Sequence, residues 1–152
     1  MYQRILVPVD GTSAKQAMLD EAIHLTQFCH ESSLRLVHVV DVSAVAEVER
    51  EWGGASSVAN VADAVRKNAQ DILDDAAQKV KAAGLDTEAV LIEIQDGDLA
   101  AAVVEGAKKW DADLIVMGTH GHGGLYHLIM GSVAEGVVRQ ARVPVLLVPS
   151  QG

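Results

Sequence analysis

The chain has 152 residues and a net charge of -9, because 21 acidic side chains outnumber 12 basic ones. This length fits one domain, 1–152. The acidic balance argues against binding to nucleic-acid backbones or anionic lipid, both of which need a basic surface. No apolar run approaches the roughly 18 residues of a membrane span, and the single cysteine, Cys29, excludes an internal disulfide framework. We expect a cytoplasmic protein.

Short apolar runs alternate with longer amphipathic stretches along the chain. A capping box at Ser13 and Gln16 predicts the first helix, and Gly84 predicts the end of the second. Asp98 predicts the cap of a third helix, and a fourth is expected over 132–142. We predict strands at 5–9, 34–40, 88–94, 114–117 and 143–148.

Residues 42–57 are rich in glutamate, glycine and serine, unlike the segments around them, and we predict a loop with a frayed helical turn there. Elsewhere strands and helices alternate, which predicts crossover units and a parallel sheet. The near-continuous apolar strands indicate burial on both faces. Crossovers are right-handed, so we expect a doubly wound α/β fold: an open, Rossmann-like, five-stranded parallel sheet of order 3-2-1-4-5 with helices on both faces.

In such a sheet, ligands bind beyond the carboxyl ends of the strands, where the strand order reverses. Asp10-Gly11 follows the first strand and Gly118 follows the fourth. In the order taken from the fold class, these two strands are neighbours. Both segments are therefore expected to face one crevice.

A glycine-rich segment over 118–124 follows the fourth strand, and Gly131-Ser132 opens the last helix. Glycines let backbone N–H groups approach an anion, and a helix N-terminus adds donors and a positive dipole end. A flexible surface loop explains the glycines alone equally well. The spacing fits neither a P-loop, which needs a lysine, nor the dinucleotide fingerprint, which Asp10-Gly11 does not begin.

The spacing Gly118-x2-Gly121-x9-Gly131-Ser132 resembles the ATP-binding signature of the universal stress protein family. The resemblance extends over essentially the whole chain, from the first strand and Asp10 to the last strand. It implies a site for ATP with Mg²⁺. Family members without these glycines form a separate group that does not bind nucleotide, and this chain has every one of them.

The resemblance implies a role for each matching residue on the nucleoside side. Asp10 would accept hydrogen bonds from the ribose hydroxyls, although Asp-Gly after a strand is also ordinary turn chemistry. Pro8 and Val9 would shape the adenine side. Val39 would pack on adenine, with its backbone reading the purine edge, or serve only as strand core. Met117 would cover the base or sugar, or fill the core.

On the phosphate side, the resemblance implies that Gly118, Gly121, Gly131 and Ser132 hold the phosphates, with a backbone N–H from Val133. An indirect contact of Asp10 with Mg²⁺ is also possible.

The residue after Gly121 is often arginine or another long polar residue in the family, and here it is His122. His120 and His127 lie on the same segment. A zinc site is one interpretation, but the spacing matches no common zinc pattern and Cys29 lies far away in sequence. We favour His120 and His122 as polar lining of the phosphate pocket, with no metal bound by these side chains.

Phosphoryl transfer needs a positioned metal, a cationic clamp and an oriented nucleophile. The motif supplies no lysine or arginine before Arg139. The sequence therefore favours an ATP-binding stress-response switch with little or no hydrolysis. The alternatives are a nucleotide-independent interaction module with a vestigial site, or a slow ATPase.

The last strand, Val143–Val148, would form an apolar edge of the sheet in the expected order. An unpaired apolar edge favours pairing with another chain. The resemblance implies dimerisation through this strand, so we expect a two-fold homodimer.

Overall fold

The protein folds around one five-stranded sheet, in which all the strands run parallel in the order β3-β2-β1-β4-β5. This is a computed structural model, and it describes residues 2–11, 15–43, 45, 47, 51, 55–119 and 130–149. The order and direction of the strands confirm the expected doubly wound α/β fold.

The strands are β1 (Arg4–Pro8), β2 (Ser33–Asp41), β3 (Thr87–Ile94), β4 (Leu114–Gly118) and β5 (Val145–Val148). The described helices are α1 (Lys15–Phe28), α2 (Ala55–Ala82), α3 (Leu99–Lys109) and α4 (Ser132–Gln140).

The two central strands are the most deeply buried part of the sheet. Ile5, Leu6 and Val7 of β1 are 0% exposed, as are Ile115 and Val116 of β4. These strands read as continuous apolar runs because helices cover both of their faces. α1 packs against α2, and α3 packs against α4, which gives the two helical layers. Burial of these aliphatic chains is the main stabilising term for the sheet.

Two predicted helix boundaries are confirmed. The Asp98 carboxylate accepts a hydrogen bond from the N–H of Ala101 at 3.0 Å, which caps α3. α2 ends at Ala82, and Gly84 follows with a φ of 83°. That left-handed conformation costs glycine little, which explains why the helix stops there.

Other boundaries need correction. Helical backbone occurs at Ser43 and Val45, and α2 begins at Ala55, so the predicted loop over 42–57 is partly helix. β5 begins at Val145 instead of Val143, because Pro144 has no N–H to give to a ladder. α4 stops at Gln140, since the next residue is extended. The Ser13 part of the capping box lies outside the described residues.

The amino ends of the strands carry a cluster of arginines around Trp110. The Arg35 guanidinium carbon lies 4.6 Å from the Trp110 ring centroid, and that of Arg4 lies 5.9 Å away. Arg4 Nη1 also donates to the Trp110 carbonyl at 2.7 Å, and Arg35 forms an ion pair with Glu88. This cluster lies at the amino ends of the strands, whereas the predicted site lies at their carboxyl ends.

Candidate functional site

The strand order reverses between β1 and β4, as a ligand crevice in this fold requires. The two strands pair directly, with Ile5 opposite Leu114 and Leu6 opposite Ile115. Their carboxyl ends therefore leave the sheet side by side. The structure brings the segment after β1 next to the segment after β4, as the sequence predicts.

β1 ends at Pro8, and Val9 and Asp10 follow it. The N–H of Val9 donates to the Val37 carbonyl at 2.7 Å, which carries the ladder one residue beyond the strand. Val9 is 4% exposed and belongs to the core, whereas Pro8 and Asp10 are half-buried. Asp10 thus stands where the protein interior meets solvent.

Val39 and Met117 flank this strand end on the two neighbouring strands. Val39 is half-buried and packs against the core. Met117 is 5% exposed and lies inside the core cluster. A core-filling role is therefore established for Met117, and contact with a nucleotide stays a prediction.

Thr119 connects the ends of β4 and β5 to the start of α4. Its N–H donates to the Val148 carbonyl at 3.2 Å, and its carbonyl accepts from the N–H of Gly131 at 2.6 Å. Gly118, the last residue of β4, pairs with Val148. Gly118 and Gly131 are therefore held close together although twelve residues separate them in sequence.

The N-terminus of α4 carries uncapped backbone donors. Gly131 is the N-cap residue, and the first bond within the helix runs from the N–H of Glu135 to the Gly131 carbonyl at 3.0 Å. The N–H groups of Ser132, Val133 and Ala134 precede that bond. Among the described residues, no side chain caps this helix. Three donors and a positive dipole end suit an anion.

One acidic residue lies close to this helix end. Glu135 is in the first turn of α4, and its carboxylate bonds Arg139 one turn later at 2.7 Å. Both side chains are largely exposed, so the pair stabilises the helix by only a few tenths of a kcal/mol. The Arg139 charge offsets that of Glu135 near the helix N-terminus.

Several predicted site residues lie outside the described residues: His120, Gly121 and His122, together with His127 of the zinc alternative. Within the part of the chain that the structure describes, no three histidine, cysteine, aspartate or glutamate side chains gather as a metal site would require. In that same part, none of the helices combines the length and apolar content needed to cross a bilayer.

Sequence reasoning missed two residues that organise the site. The His38 ring Nδ1 lies 2.7 Å from the Val9 carbonyl, and Thr119 makes the backbone connection to α4. A signal for His38 was present, because it is one of two polar residues in an otherwise apolar strand. Thr119 carried no such signal, because its bonds to Val148 and Gly131 are made by its backbone.

A cavity of about 440 Å³ opens beside His38, between β2 and the first half of α2. Its lining is His38, Val40, Val61, Ala64, Val65, Asn68 and Ala69. Among the described residues, none of those predicted to bind nucleotide belongs to this lining.

The carboxyl end of β2 carries an aspartate with a perturbed titration. The Asp41 Oδ1 accepts a hydrogen bond from the N–H of Ser43 at 2.8 Å. Hydrogen bonding by the side chain and backbone of Ser43 holds the pKa of Asp41 below its ordinary value of 3.8. The folded protein therefore favours the ionised form of this carboxylate at the carboxyl end of β2.

The sequence model of the universal stress protein family matches residues 1–149. The chain belongs to the universal stress protein family. A universal stress protein of Methanocaldococcus jannaschii is 31% identical over 148 residues, covering 97% of this chain and 82% of that protein. A solved universal stress protein from Burkholderia pseudomallei is 34% identical, with a TM-score of 0.75 and coverage of 97% and 96% of the two chains.

Two further solved structures of universal stress proteins contain nucleotides. The Archaeoglobus fulgidus protein was solved in complex with dAMP; it has a TM-score of 0.70 at 22% identity and covers 96% of this chain and 97% of its own. Another was solved with cAMP, with a TM-score of 0.68 at 24% identity and coverage of 99% and 98%. At these identities the likeness shows a shared universal stress protein fold.

Proposed function

We propose that this universal stress protein binds ATP with Mg²⁺ and acts as a nucleotide-dependent stress-response switch. The observation that carries the proposal is the N-terminus of α4, which no side chain among the described residues caps and which the Gly131–Thr119 hydrogen bond of 2.6 Å holds at the end of β4. Asp10 stands at the end of the adjacent strand. Some structural neighbours hold adenine nucleotides, which supports the same ligand class.

In this proposal, the two sides of the crevice bind different parts of the nucleotide. Pro8, Val9, Val39 and Met117 would border the adenine, and Asp10 would accept from the ribose hydroxyls. The backbone around Gly118, Gly121 and Gly131, with Ser132 and Val133, would hold the phosphates, and His120 and His122 would line that pocket. Mg²⁺ would offset the phosphate charge, with Asp10 in indirect contact with it.

The donor set suits binding better than hydrolysis. α4 offers backbone N–H groups and the Ser132 hydroxyl, and its one arginine, Arg139, is already paired with Glu135. Phosphoryl transfer needs a cationic clamp and an oriented nucleophile as well. We therefore expect little or no hydrolysis, and a turnover number on the order of 1 per second would contradict this part of the proposal.

The direct test is the thermal and calorimetric response to ATP with Mg²⁺. A ligand at about 100 times its dissociation constant stabilises the folded state by roughly 2.7 kcal/mol. The Gly121→Val variant should lose this stabilisation, because a branched side chain would block the approach of the phosphates to the backbone. An unchanged melting temperature of the wild type with ATP, and no binding heat, would refute the proposal.

The homodimer is a second part of the proposal. β5 pairs with β4 along one side, and its residues Val145–Val148 remain half-buried. An apolar strand at the edge of a sheet favours pairing with another chain. We expect a two-fold dimer through 143–148. Sedimentation of the wild type as a dimer at micromolar concentration, and of a Leu146→Lys variant as a monomer, would support it; a wild type that is only monomeric would not.

The main alternative is an interaction module that works without nucleotide, and the half-buried edge strand β5 favours it. A protein that dimerises and shows no stabilisation by ATP would fit this alternative. A cytoplasmic location also belongs to the proposal, and fractionation of cells expressing the tagged chain tests it.

A further inference from the structure

α4 lies very close to α3 at Gly136. A Cβ built on Gly136 would lie 2.6 Å from the Cβ of Ala100. Carbon atoms in contact rest about 3.5–4.0 Å apart. Ala100 is 7% exposed and its Cβ has no rotatable arm, so it cannot move aside. A side chain at position 136 would therefore push the two helices apart by about 1 Å.

The remaining contacts of α4 leave it little freedom to absorb such a shift. Val137 is 0% exposed and Ala134 is 3% exposed, so the face next to Gly136 is packed into the core. Gly131 is bonded to the Thr119 carbonyl at 2.6 Å. Because the helix has only nine residues, a displacement at Gly136 is transmitted to its N-terminus and strains the Gly131–Thr119 bond.

We propose that Gly136 is a positioning residue for the phosphate end of the nucleotide site. Its missing side chain lets α4 settle onto Ala100, and this contact sets where the N–H groups of Ser132 and Val133 stand. The inference rests on the proposed ATP-binding function. Since N–H···O bonds need about 2.7–3.2 Å between donor and acceptor, a displacement of about 1 Å breaks them.

The effect falls on one part of the ligand. α4 carries none of the proposed adenine and ribose residues, which lie on β1, β2 and β4 or within two residues after β1: Pro8, Val9, Asp10, Val39 and Met117. A displaced α4 therefore weakens binding of phosphates and leaves binding of the nucleoside unchanged. The informative quantity is the affinity for ATP with Mg²⁺ divided by the affinity for adenosine.

The experiment measures both affinities by titration calorimetry for the wild type and Gly136→Ala. We expect the dissociation constant of ATP to rise at least about tenfold and that of adenosine to change less than about twofold. Adding Ala100→Gly to Gly136→Ala moves the methyl group from one helix to the other. This exchange should restore the ratio of the affinities for ATP and adenosine. If Gly136→Ala acted only by destabilising the fold, moving the methyl group would not restore this ratio.

Gly106→Ala is the matched control on α3. A Cβ there would lie 3.3 Å from Ile92 Cδ1, the far end of a flexible side chain on β3, so it does not push on α4. Its ATP-to-adenosine ratio should equal that of the wild type. Ala100→Ser, which adds one atom to the same contact from the other helix, should lower the ratio and serves if Gly136→Ala does not fold.

The outcomes separate this inference from the proposed function. A wild type that binds ATP no better than adenosine defeats the proposed function and this inference with it. A wild-type preference for ATP that persists in both Gly136→Ala and Ala100→Ser overturns the inference alone. It is likewise overturned if Gly106→Ala lowers the ratio as much as Gly136→Ala, or if the methyl exchange restores nothing.

Discussion

The His38 ring holds the carbonyl of Val9, with 2.7 Å between Nδ1 and the oxygen. A carbonyl only accepts, so Nδ1 carries the proton and donates it. β1 and β2 are already joined up to this point, since the N–H of Val9 bonds the Val37 carbonyl. The histidine thus fixes the last peptide before Asp10.

We expect His38→Leu to lower the free energy of unfolding by about 1 kcal/mol, because the Val9 carbonyl loses its partner in a half-buried place. Binding of ATP should weaken as well, since the hydrogen bond that fixes the backbone just before Asp10 is lost. His38→Asn is the control, because its amide nitrogen can stand near the place of Nδ1. Urea denaturation and calorimetry measure the two effects. Equal losses in both variants would argue against the hydrogen bond as the cause.

The ribose role of Asp10 makes a prediction about the ligand. Asp10→Ala should weaken ATP binding about tenfold, the worth of a hydrogen bond to a charged group. The same change should hardly affect 2′,3′-dideoxy-ATP, which has no ribose hydroxyls to donate. Competition titrations with the two nucleotides measure the difference. If Asp10→Ala weakens both equally, the carboxylate acts in turn structure or near Mg²⁺ and not on the ribose.

Trp110, at the amino ends of the strands, should contribute to the stability of the fold and not to nucleotide binding. Trp110→Ala removes the ring that Arg35 and Arg4 cover, and we expect a loss of about 3 kcal/mol in the free energy of unfolding. Arg35→Lys should cost about 1 kcal/mol, because an ammonium lacks the planar group that stacks on the ring. Thermal denaturation measures both. A change in the dissociation constant of ATP in the folded Arg35→Lys protein would contradict this separation.

Asp41 gives a pH dependence with a definite sign. Its pKa is lowered below 3.8 by the hydrogen bonds from Ser43, so the folded state favours the ionised carboxylate. That contribution to stability is present above the unfolded pKa and is lost as the pH falls through the folded pKa. In Ser43→Ala the pKa of Asp41 should rise toward 3.8. Carbon NMR of the Asp41 carboxyl measures it, and identical titrations in both proteins would contradict the assignment.

Much of the fold followed from local signals. Apolar runs predicted four of the strands, since strands covered on both faces have no polar side to show, and alternation predicted β3, whose residues are exposed or half-buried. The start of α2 at Ala55 was missed, because Ser56, Ser57 and the glycines at 53 and 54 are typical of turns. Here the long amphipathic helix outweighs the weak local preference of its first turn.

For the site, the motif spacing predicted which residues follow β1 and β4, and the strand order confirmed that these segments are neighbours. It could not predict the contacts of His38 with Val9 or of Gly136 with Ala100. Both join segments far apart in sequence, and both depend on register and helix position to within about 1 Å. A pattern of residue types along the chain contains no such distances.

Thr119 ties together two parts of the molecule that have different proposed partners. One bond leads to Val148 in the edge strand, and the other leads to Gly131 at the start of α4. Suppose that binding of a second chain at β5 also shifts α4. By linkage, dimerisation then changes the affinity for the ligand at α4, and that ligand changes the affinity for the second chain by the same factor. Nucleotide binding in the crevice and dimerisation through β5 would then be thermodynamically coupled.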